Sequence, residues 1–447
     1  MRKLSSPLAL AALCVGFFMV IIDVTIVNVA LPSIATQLQT SVSGLQWIVD
    51  SYTLPFAALL LSAGNLGDRV GAKNSFLYGI TLFILTSLAC GIASNITLLI
   101  IFRFLQGISA ALIVPTSLAL INATYPDASA RAKAIGIWAC VSGAGGAAGP
   151  ILGACLTTWF GWRAIFFVNI PIGIIGILLT VRYVPNPLGN GKSGFDVPGQ
   201  LLGTLCIAAL AFGLITAGAQ GWLSNTVVVS FVIFAIALWA FLRVEHRTAA
   251  PMLPLSLFRS PTFATAIAVG MILNIGAYGE LFVLSLYFQQ VREYSVLATG
   301  FAFLPLLGII PMSSYYGGKI ISISGPRKPM AIGLGVGALG FCALLMTGAQ
   351  TPIYAALILP LMAIGFSAAF TMPAATVAAI ESAPSGRAGL ASGALNASRQ
   401  VGSLIGVAIS GTFISMFPHF ITGMHLSLIL GALVFIVGGA ASLIWIR

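Results

Sequence analysis

The chain has 447 residues, of which 59% are hydrophobic and only 6% charged, whereas an ordinary soluble domain carries roughly 25% charged residues. So few charges cannot cover the surface of a soluble protein of this size, which indicates that lipid replaces water as the solvent. The net charge of +11 would suggest nucleic acid in a soluble protein. Here the basic residues lie in short loops between apolar runs, so we expect no nucleic-acid partner.

Apolar runs of about 20 residues, the length that crosses a bilayer as a helix, recur along the whole chain. The first run follows Arg2 and Lys3 as in a signal peptide, but it continues to about Leu31, so we interpret it as an uncleaved first helix. We predict fourteen membrane-spanning helices, at residues 8–31, 46–64, 75–94, 96–121, 131–156, 163–184, 198–218, 225–245, 262–289, 297–316, 329–348, 352–374, 388–415 and 424–446.

The distribution of basic residues predicts the orientation of these helices. With the N-terminus in the cytoplasm, 16 of the 20 Lys and Arg residues fall in cytoplasmic segments. Only Arg163 and Arg292 fall outside, and Arg103 and Arg399 lie within helices. Because cytoplasmic loops are enriched in Lys and Arg, the pattern predicts that both termini are cytoplasmic.

Two sequence segments recur in the second half of the chain. "GNLGDRVGAK" after helix 2 matches "GKIISISGPR" after helix 10, and "GISAALIVP" in helix 4 matches "GFSAAFTMP" in helix 12, at offsets of 254 and 258 residues. Chance similarity between Gly-rich apolar segments is the alternative. The repeat predicts an all-α polytopic membrane protein of two parallel six-helix bundles that rock about a midplane site. The predicted units are an N-terminal bundle, a linker with two additional helices and a C-terminal bundle, at 1–184, 185–261 and 262–447.

Several motifs, in order, carry a family resemblance. They are the loop motif "GNLGDRVGAK" together with "DVTIVNVALP", "RFLQGISAA", "GAGGAAGPILG", "GWRAIFFVNIPIG" and "SRQVGSLIGVAI". Over nearly its whole length the chain resembles the fourteen-helix drug:proton antiporter branch of the major facilitator superfamily. The resemblance implies a major facilitator fold in a bacterial inner membrane, which exports varied, often cationic, amphipathic compounds in exchange for protons.

Two opposite charges inside the predicted helices are candidates for proton coupling. Asp23 in helix 1 and Arg103 in helix 4 lie ~12 Å and ~10 Å below the same outer face, at 1.5 Å per residue. A carboxylate at membrane depth is costly unless it is paired or hydrated. We predict that the two side chains form a proton-coupling pair, with a static ion pair between helices as the alternative. Asp50, near the outer end of helix 2, is either a hydrated carboxylate or, as the resemblance implies, a second proton or cation site.

A third acid indicates where cargo could bind. Glu280 lies near the midplane of helix 9, beside Tyr278 and Phe282, a setting that suits an organic cation through charge and cation–π contact. Arg399 lies at similar depth in helix 13. A static Glu280–Arg399 pair is the alternative, and a displaceable pair would reconcile the two interpretations.

Helix 5 carries a glycine strip made of Gly145, Gly149 and Gly153, together with Pro150. Glycines at four-residue spacing allow close helix packing, and the proline invites a bend. The resemblance implies a gating role as a seal between helices 5 and 11, with ordinary helix packing as the alternative.

The loop between helices 2 and 3 contains Asp68 and Arg69. We predict that Asp68 caps a helix N-terminus or pairs with Arg131 at the start of helix 5, which would latch the cytoplasmic side. The alternative is a loop charge that sets topology.

The sequence favours a transporter over an enzyme, because it has no phosphate-binding loop for ATP hydrolysis and only three scattered His. We therefore expect no cofactor and no metal. The predicted partners are a small lipophilic cation, protons and the bilayer. We expect a monomer and leave a periplasmic adaptor open. An exporter of one native metabolite such as a siderophore is the alternative, and a membrane sensor or scaffold is a more distant one.

Overall fold

The computed structural model describes residues 2–186, 196–248, 251–348, 353–384 and 388–446. This part of the chain folds almost entirely into α-helices. In chain order they are α1 (Arg2–Leu38), α2 (Val42–Val70), α3 (Ala72–Gly91), α4 (Ile96–Thr124), α5 (Ala128–Phe160), α6 (Ala164–Phe167), α7 (Asn169–Tyr183), α8 (Val197–Gln220), α9 (Asn225–Arg247), α10 (Pro261–Leu286), α11 (Val296–Ala302), α12 (Leu304–Gly308), α13 (Ile310–Ser324), α14 (Arg327–Leu344), α15 (Tyr354–Glu381), α16 (Ala388–Met416) and α17 (Phe420–Trp445). A 3₁₀ turn precedes α10 at Leu255–Arg259, and a π turn follows it at Tyr287–Val291.

Each predicted span falls on a helix or on a chain of short helices. Among the described residues, eleven helical segments are long and apolar enough to cross a membrane. The predicted spans 46–64, 329–348 and 388–415 fall on α2, α14 and α16, which are not among the eleven. α2 contains two Asp residues, α14 is only 18 residues long, and α16 is rich in Gly, Ser and other polar residues.

Two predicted spans coincide with candidate membrane spans but contain helix breaks. The predicted span 163–184 falls on Ala164–Tyr183, which is divided into α6 and α7, and the predicted span 297–316 falls within Val296–Ser324, which is divided into α11, α12 and α13. α2 also continues to Val70, so most of the motif predicted as a loop is helical and the turn is confined to Gly71. Gly71 has φ +96, a conformation that costs glycine little but strains other residues.

The internal repeat has a structural counterpart. Gly71 between α2 and α3 and Gly325 between α13 and α14 both adopt positive φ, and they are 254 residues apart. In the same way, α4 packs through Gly107 on the carbonyl of Tyr52, and α15 packs through Gly365 on the carbonyl of Leu306. The two helix pairs therefore cross at the same small residue, where a side chain would clash with the neighbouring backbone.

The inserted hairpin α8–α9 packs beside both halves. At its first turn, the Gln200 amide donates to the Ala58 carbonyl of α2 at 2.9 Å. Near the other end of α8, the Leu214 carbonyl accepts from the Thr412 hydroxyl of α16 at 2.6 Å. α8 therefore contacts the N-terminal half at one end and the C-terminal half at the other.

Direct contacts join the two halves near the outer ends of α1 and α2 in the predicted orientation. The Gln46 amide donates to the Ala408 carbonyl at 2.6 Å, and the Gln289 amide donates to the Val29 carbonyl at 3.0 Å. These bonds involve backbone carbonyls inside helices, which require close approach of the two halves.

Candidate functional site

The centre of the N-terminal half holds a buried polar cluster around Asp23. Arg103 on α4 forms an ion pair with the Asp23 Oδ2 atom, and both side chains are at most 1% exposed. The other carboxylate oxygen, Oδ1, accepts from the Gln106 amide at 3.0 Å and from the Asn169 amide at 2.8 Å. α1, α4 and α7 thus each supply a polar group, and the carboxylate is fully satisfied without water.

Arg103 is held by more than its ion pair. Its Nε donates to the Ile48 carbonyl at 3.2 Å, and its Nη1 also donates to the Gln106 Oε1 at 2.8 Å. The guanidinium stands over the Tyr52 ring, 4.2 Å from the centroid, in cation–π geometry. Because these contacts do not involve Asp23, the arginine can keep its place when the carboxylate takes a proton.

The predicted meeting of Asp23 and Arg103 is therefore observed, but the sequence interpretation missed the amides that complete it. Gln106 and Asn169 also share the Ser87 hydroxyl, to which they donate at 2.7 and 3.2 Å. Gln106 lies three residues after Arg103, on the same helix face. Asn169 lies in the motif "GWRAIFFVNIPIG". The position of Gln106 on the helix face and the place of Asn169 in this motif were the sequence features from which their roles could have been predicted.

The prediction that Asp50 could be a hydrated surface carboxylate is wrong. The side chain is 0% exposed, and neither carboxylate oxygen has a hydrogen-bond partner among the described residues. α2 packs against α4, α8 and α16, and these neighbours exclude the side chain from the surface. A buried carboxylate without partners carries a large desolvation cost when ionised, so its neutral form is favoured.

Glu280 does not pair with Arg399, which corrects the static alternative. Its side chain is 3% exposed, and both oxygens are without a hydrogen-bond partner in the described part of the chain. It borders a cavity of about 10 Å³ between α10, α14, α16 and α17, lined also by Ser410 and Ser427. That volume is at the lower limit for one water molecule. The acid therefore points into the C-terminal half.

The other residues predicted to bind substrate lie apart from Glu280. Phe282 is 0% exposed and belongs to the apolar core. Tyr278 and Arg399 are half-buried and lie close enough to interact electrostatically. The Arg399 Nη1 donates to the Asn396 side chain at 3.2 Å. The four residues do not form one site in this conformation.

The glycine strip of α5 packs on α1. A Cβ at Gly149 would overlap Thr25 and stand 3.0 Å from the Ile26 amide nitrogen, and one at Gly153 would stand 2.6 Å from the Ile26 carbonyl oxygen. The predicted seal against span 329–348 is not what these glycines form.

α5 contacts the C-terminal half beside the glycine strip, and the helix that it meets there is α11. A Cβ at Gly300 on α11 would stand 3.0 Å from the Pro150 carbonyl oxygen and would overlap Ala154. Close approach at Gly300 thus joins α5 near Pro150 to the first short helix of the predicted tenth span.

Of the residues predicted to form the cytoplasmic latch, only the side chain of Arg131 is described. Arg131 donates to the Pro126 carbonyl at 3.3 Å, a contact within its own helix start. The side chains of Asp68 and Arg69 lie outside the described residues, so the latch stays a prediction.

A groove of about 970 Å³ lies between α2, α4, α8 and α9. Its lining is apolar and uncharged, with Trp47, Phe104 and Phe212 among the larger side chains. None of the residues predicted to bind substrate lines it.

The chain is similar to known transport proteins. Residues 13–407 match the family model described as Major Facilitator Superfamily. The multidrug resistance protein Stp of Mycobacterium tuberculosis is 36% identical over 408 residues, which cover 91% of this chain and 76% of that protein. A methylenomycin A resistance protein of Streptomyces coelicolor is 34% identical over 442 residues, which cover 99% of this chain and 92% of that protein.

The fold is also found among solved structures. A bacterial homologue of the human lysosomal transporter Spinster superimposes with a TM-score of 0.67 at 17% identity, covering 100% of this chain and 98% of that one. At that identity the likeness concerns the fold alone.

Proposed function

The chain belongs to the major facilitator superfamily of transporters, and we propose that it is a proton-coupled antiporter that exports amphipathic, cationic drugs by alternating access. Its drug-resistance relatives support a drug exporter, and a transporter rather than an enzyme. In this proposal the chain crosses a bacterial inner membrane fourteen times with both termini in the cytoplasm, and it works as a monomer.

The observation that carries proton coupling is the buried cluster around Asp23. Arg103, Gln106 and Asn169 contact both carboxylate oxygens of Asp23 at a site that is sealed from the surface. Proton uptake by Asp23 cancels its attraction to Arg103, so the ion pair between α1 and α4 is exchanged for a neutral contact. Arg103 remains held by Ile48 and Tyr52, which allows the cluster to reform when the proton leaves.

Cation selection falls to the C-terminal half in this proposal. Glu280 has no internal partner among the described residues, so a cation that reaches it once it has released its proton would meet no competing counter-charge. Because its cavity of about 10 Å³ is too small for a drug, cation binding requires α10 to move relative to α14, α16 or α17. Tyr278 and Arg399 stand closer to the boundary between the halves and would meet the cargo first.

Gating in this proposal uses the close contacts of α5. Gly149 and Gly153 keep α5 on α1, so the two helices move as one body, while Gly300 meets the bend at Pro150 across the boundary between the halves. Opening the outer side would separate that second contact. The cytoplasmic side would be held closed by a latch between Asp68, Arg69 and Arg131.

A second candidate is an exporter of one compound. The Streptomyces coelicolor relative is named for resistance to methylenomycin A alone, and it covers nearly the whole chain. A dedicated exporter would use the same Asp23 cluster with a narrower cargo.

Reconstitution tests the proposal directly. Purified protein in proteoliposomes with an internal pH dye should release protons when cationic dyes and biocides are added, and the reverse pH gradient should drive dye accumulation. Response to several unrelated cations supports the multidrug exporter, and response to a single compound supports the second candidate. Cargo movement without proton movement would rule out antiport.

A further inference from the structure

Two acidic side chains meet at the base of the inserted hairpin, far from the Asp23 cluster. Asp196 precedes α8, and its Oδ1 accepts from the Gly199 amide at 2.9 Å, which caps the helix. Glu245 lies in the last turn of α9, and its Oε2 accepts from the Leu253 amide at 2.9 Å. Each carboxylate thus has one oxygen fixed by backbone.

The remaining oxygens lie close to the same point beside Gly199. Both Asp196 Oδ2 and Glu245 Oε1 lie within 3.0 Å of the point where a Cβ on Gly199 would stand. Neither has a hydrogen-bond partner among the described residues, although Asp196 is only 9% and Glu245 only 2% exposed. Glycine at position 199 leaves the room in which the two oxygens converge.

Basic side chains do not offset this pair within the described part of the chain. Neither carboxylate forms an ion pair there, and Arg243 on α9 instead stacks on the Trp239 ring at 5.3 Å. Two ionised carboxylates so close and so buried repel each other strongly, so the site gains from one added positive charge. The same logic makes carboxylate dyads share a proton.

We propose that Asp196 and Glu245 share one proton, held between Oδ2 and Oε1, and that this proton fastens the base of α8 to the end of α9. A metal ion is the less suitable occupant. Hard cations such as Mg²⁺ and Ca²⁺ take six or more oxygen ligands, and here two oxygens converge. The described residues contain no cluster of three or more His, Cys, Asp or Glu side chains arranged for a metal.

The shared proton lies beside the contact that joins the hairpin to the N-terminal half. Gln200, next to Gly199, donates to the Ala58 carbonyl at 2.9 Å and accepts from the Ser62 hydroxyl. Ser62 also contacts the Met252 sulfur at 3.2 Å, in the segment that Glu245 caps. Loss of the proton at high pH leaves two negative charges in contact. Their repulsion separates Asp196 from Glu245 and loosens the attachment of α8 to α2. This inference does not depend on the cargo or on proton-coupled transport.

Hydrogen exchange of the full chain in lipid nanodiscs tests the site. The amides of Gly199 and Leu253 should lose protection as the pH is raised from 6 to 9, after correction for intrinsic exchange, and a tenfold loss would correspond to a coupling of about one pKa unit between the two carboxylates. Glu245→Gln should remove that pH dependence, because its amide supplies a permanent hydrogen to Asp196 while its oxygen still accepts from Leu253. Asp196→Asn makes the same test from the other side, since Asn also caps helices well.

Matched controls separate the alternatives. Asp127→Asn alters another helix cap, at the start of α5, where the Ala130 amide is the bonded group, and should leave the pH profile of Gly199 unchanged. A wild-type profile that is flat from pH 6 to 9 would overturn the proposal. Protection that follows added Mg²⁺ or EDTA at fixed pH would overturn it in favour of a metal. Lys192 precedes Asp196 by four residues and lies outside the described residues. Loss of protection at pH 6 in Lys192→Met would overturn the proposal in favour of a lysine counter-charge.

Discussion

Each half of the molecule buries an acid in its first helix, and the two acids have opposite surroundings. Asp23 in α1 is bonded to Arg103, Gln106 and Asn169. Glu280 in α10 has no hydrogen-bond partner among the residues described. The carboxyl oxygens of the first acid are therefore held by neighbours within the protein, whereas those of the second are not.

In the proposed function, this difference means that the two halves share a helical frame but perform different parts of the transport chemistry. Gly107 and Gly365 still place their helices on the same kind of neighbour, so the frame is shared. The polar contents are not shared. A paired carboxylate suits reversible exchange of a proton for an ion pair, whereas an unpaired acid suits a cation that arrives from outside.

The largest expected effect comes from neutralising the paired acid. Asp23→Asn removes the group that takes the proton in the proposed function but keeps its shape, and the Gln106 and Asn169 amides can still donate to its oxygen. Proton-coupled efflux should fall at least ~100-fold, the scale on which removal of a proton-transfer group acts. Substrate-dependent proton release in proteoliposomes measures this.

Folding must be checked in the same variant. Asp23→Asn should still elute as a single folded species, because Arg103 retains the Ile48 and Tyr52 contacts, but with a lowered thermal midpoint, because Arg103 loses its buried counter-charge. Asp127→Asn, an exposed helix cap, serves as the matched control and should transport normally. Wild-type coupling in Asp23→Asn would reduce the cluster to a static link between α1 and α4.

Removing the other partner should cost stability instead. Arg103→Met leaves the Asp23 charge buried without its counter-charge, a change of about 3–5 kcal/mol against folding. The double variant Asp23→Asn/Arg103→Met should recover most of that loss and still fail to transport. Thermal unfolding in detergent gives the coupling between the two positions. Additive losses would show that the two side chains do not stabilise each other.

The sequence predicted this cluster in part, for physical reasons. Charges at membrane depth are so costly that Asp23 and Arg103 stand out by composition, and their depth follows from helix rise. Amides carry no such penalty, so Gln106 and Asn169 do not stand out in an apolar run. Their role depends on the angle between α4 and α7, which periodicity does not encode.

The same limit explains the errors in the C-terminal half. Glu280 and Arg399 have similar depth, and depth alone suggested a pair. Rotation about each helix axis decides which way a side chain points, and here Glu280 points toward α14 and α17 while Arg399 lies near Tyr278. The π turn after α10 and the division of the predicted span 297–316 were also invisible to hydropathy, because apolar content continues through both.

Close helix crossings offer an intermediate effect that should be equal in the two halves. Gly149→Ala on α5 would overlap Thr25 of α1, and Gly406→Ala on α16 would overlap the Ile275 carbonyl of α10. Overpacking of this kind costs about 1–3 kcal/mol. Both variants should lower the thermal midpoint, while Gly318→Ala, where a Cβ meets nothing within 4 Å, should not. A lowered thermal midpoint in only one of the two variants would indicate that the helix crossings do not contribute equally to stability in the two halves.

The smallest effect on stability, and the sharpest test of the comparison, is expected for the unpaired acid. Glu280→Gln should change the free energy of unfolding by less than about 1 kcal/mol. A neutral acid is replaced by a neutral amide of similar shape, and no neighbouring group loses a hydrogen bond. Efflux of cationic dyes should fall about tenfold, the value of one lost charge contact of about 1.4 kcal/mol, and efflux of a neutral compound should not change. Because Asp23 is untouched, protons should still be exchanged for the neutral cargo. Equal loss for both cargoes would assign Glu280 to proton movement and end the division of labour between the halves.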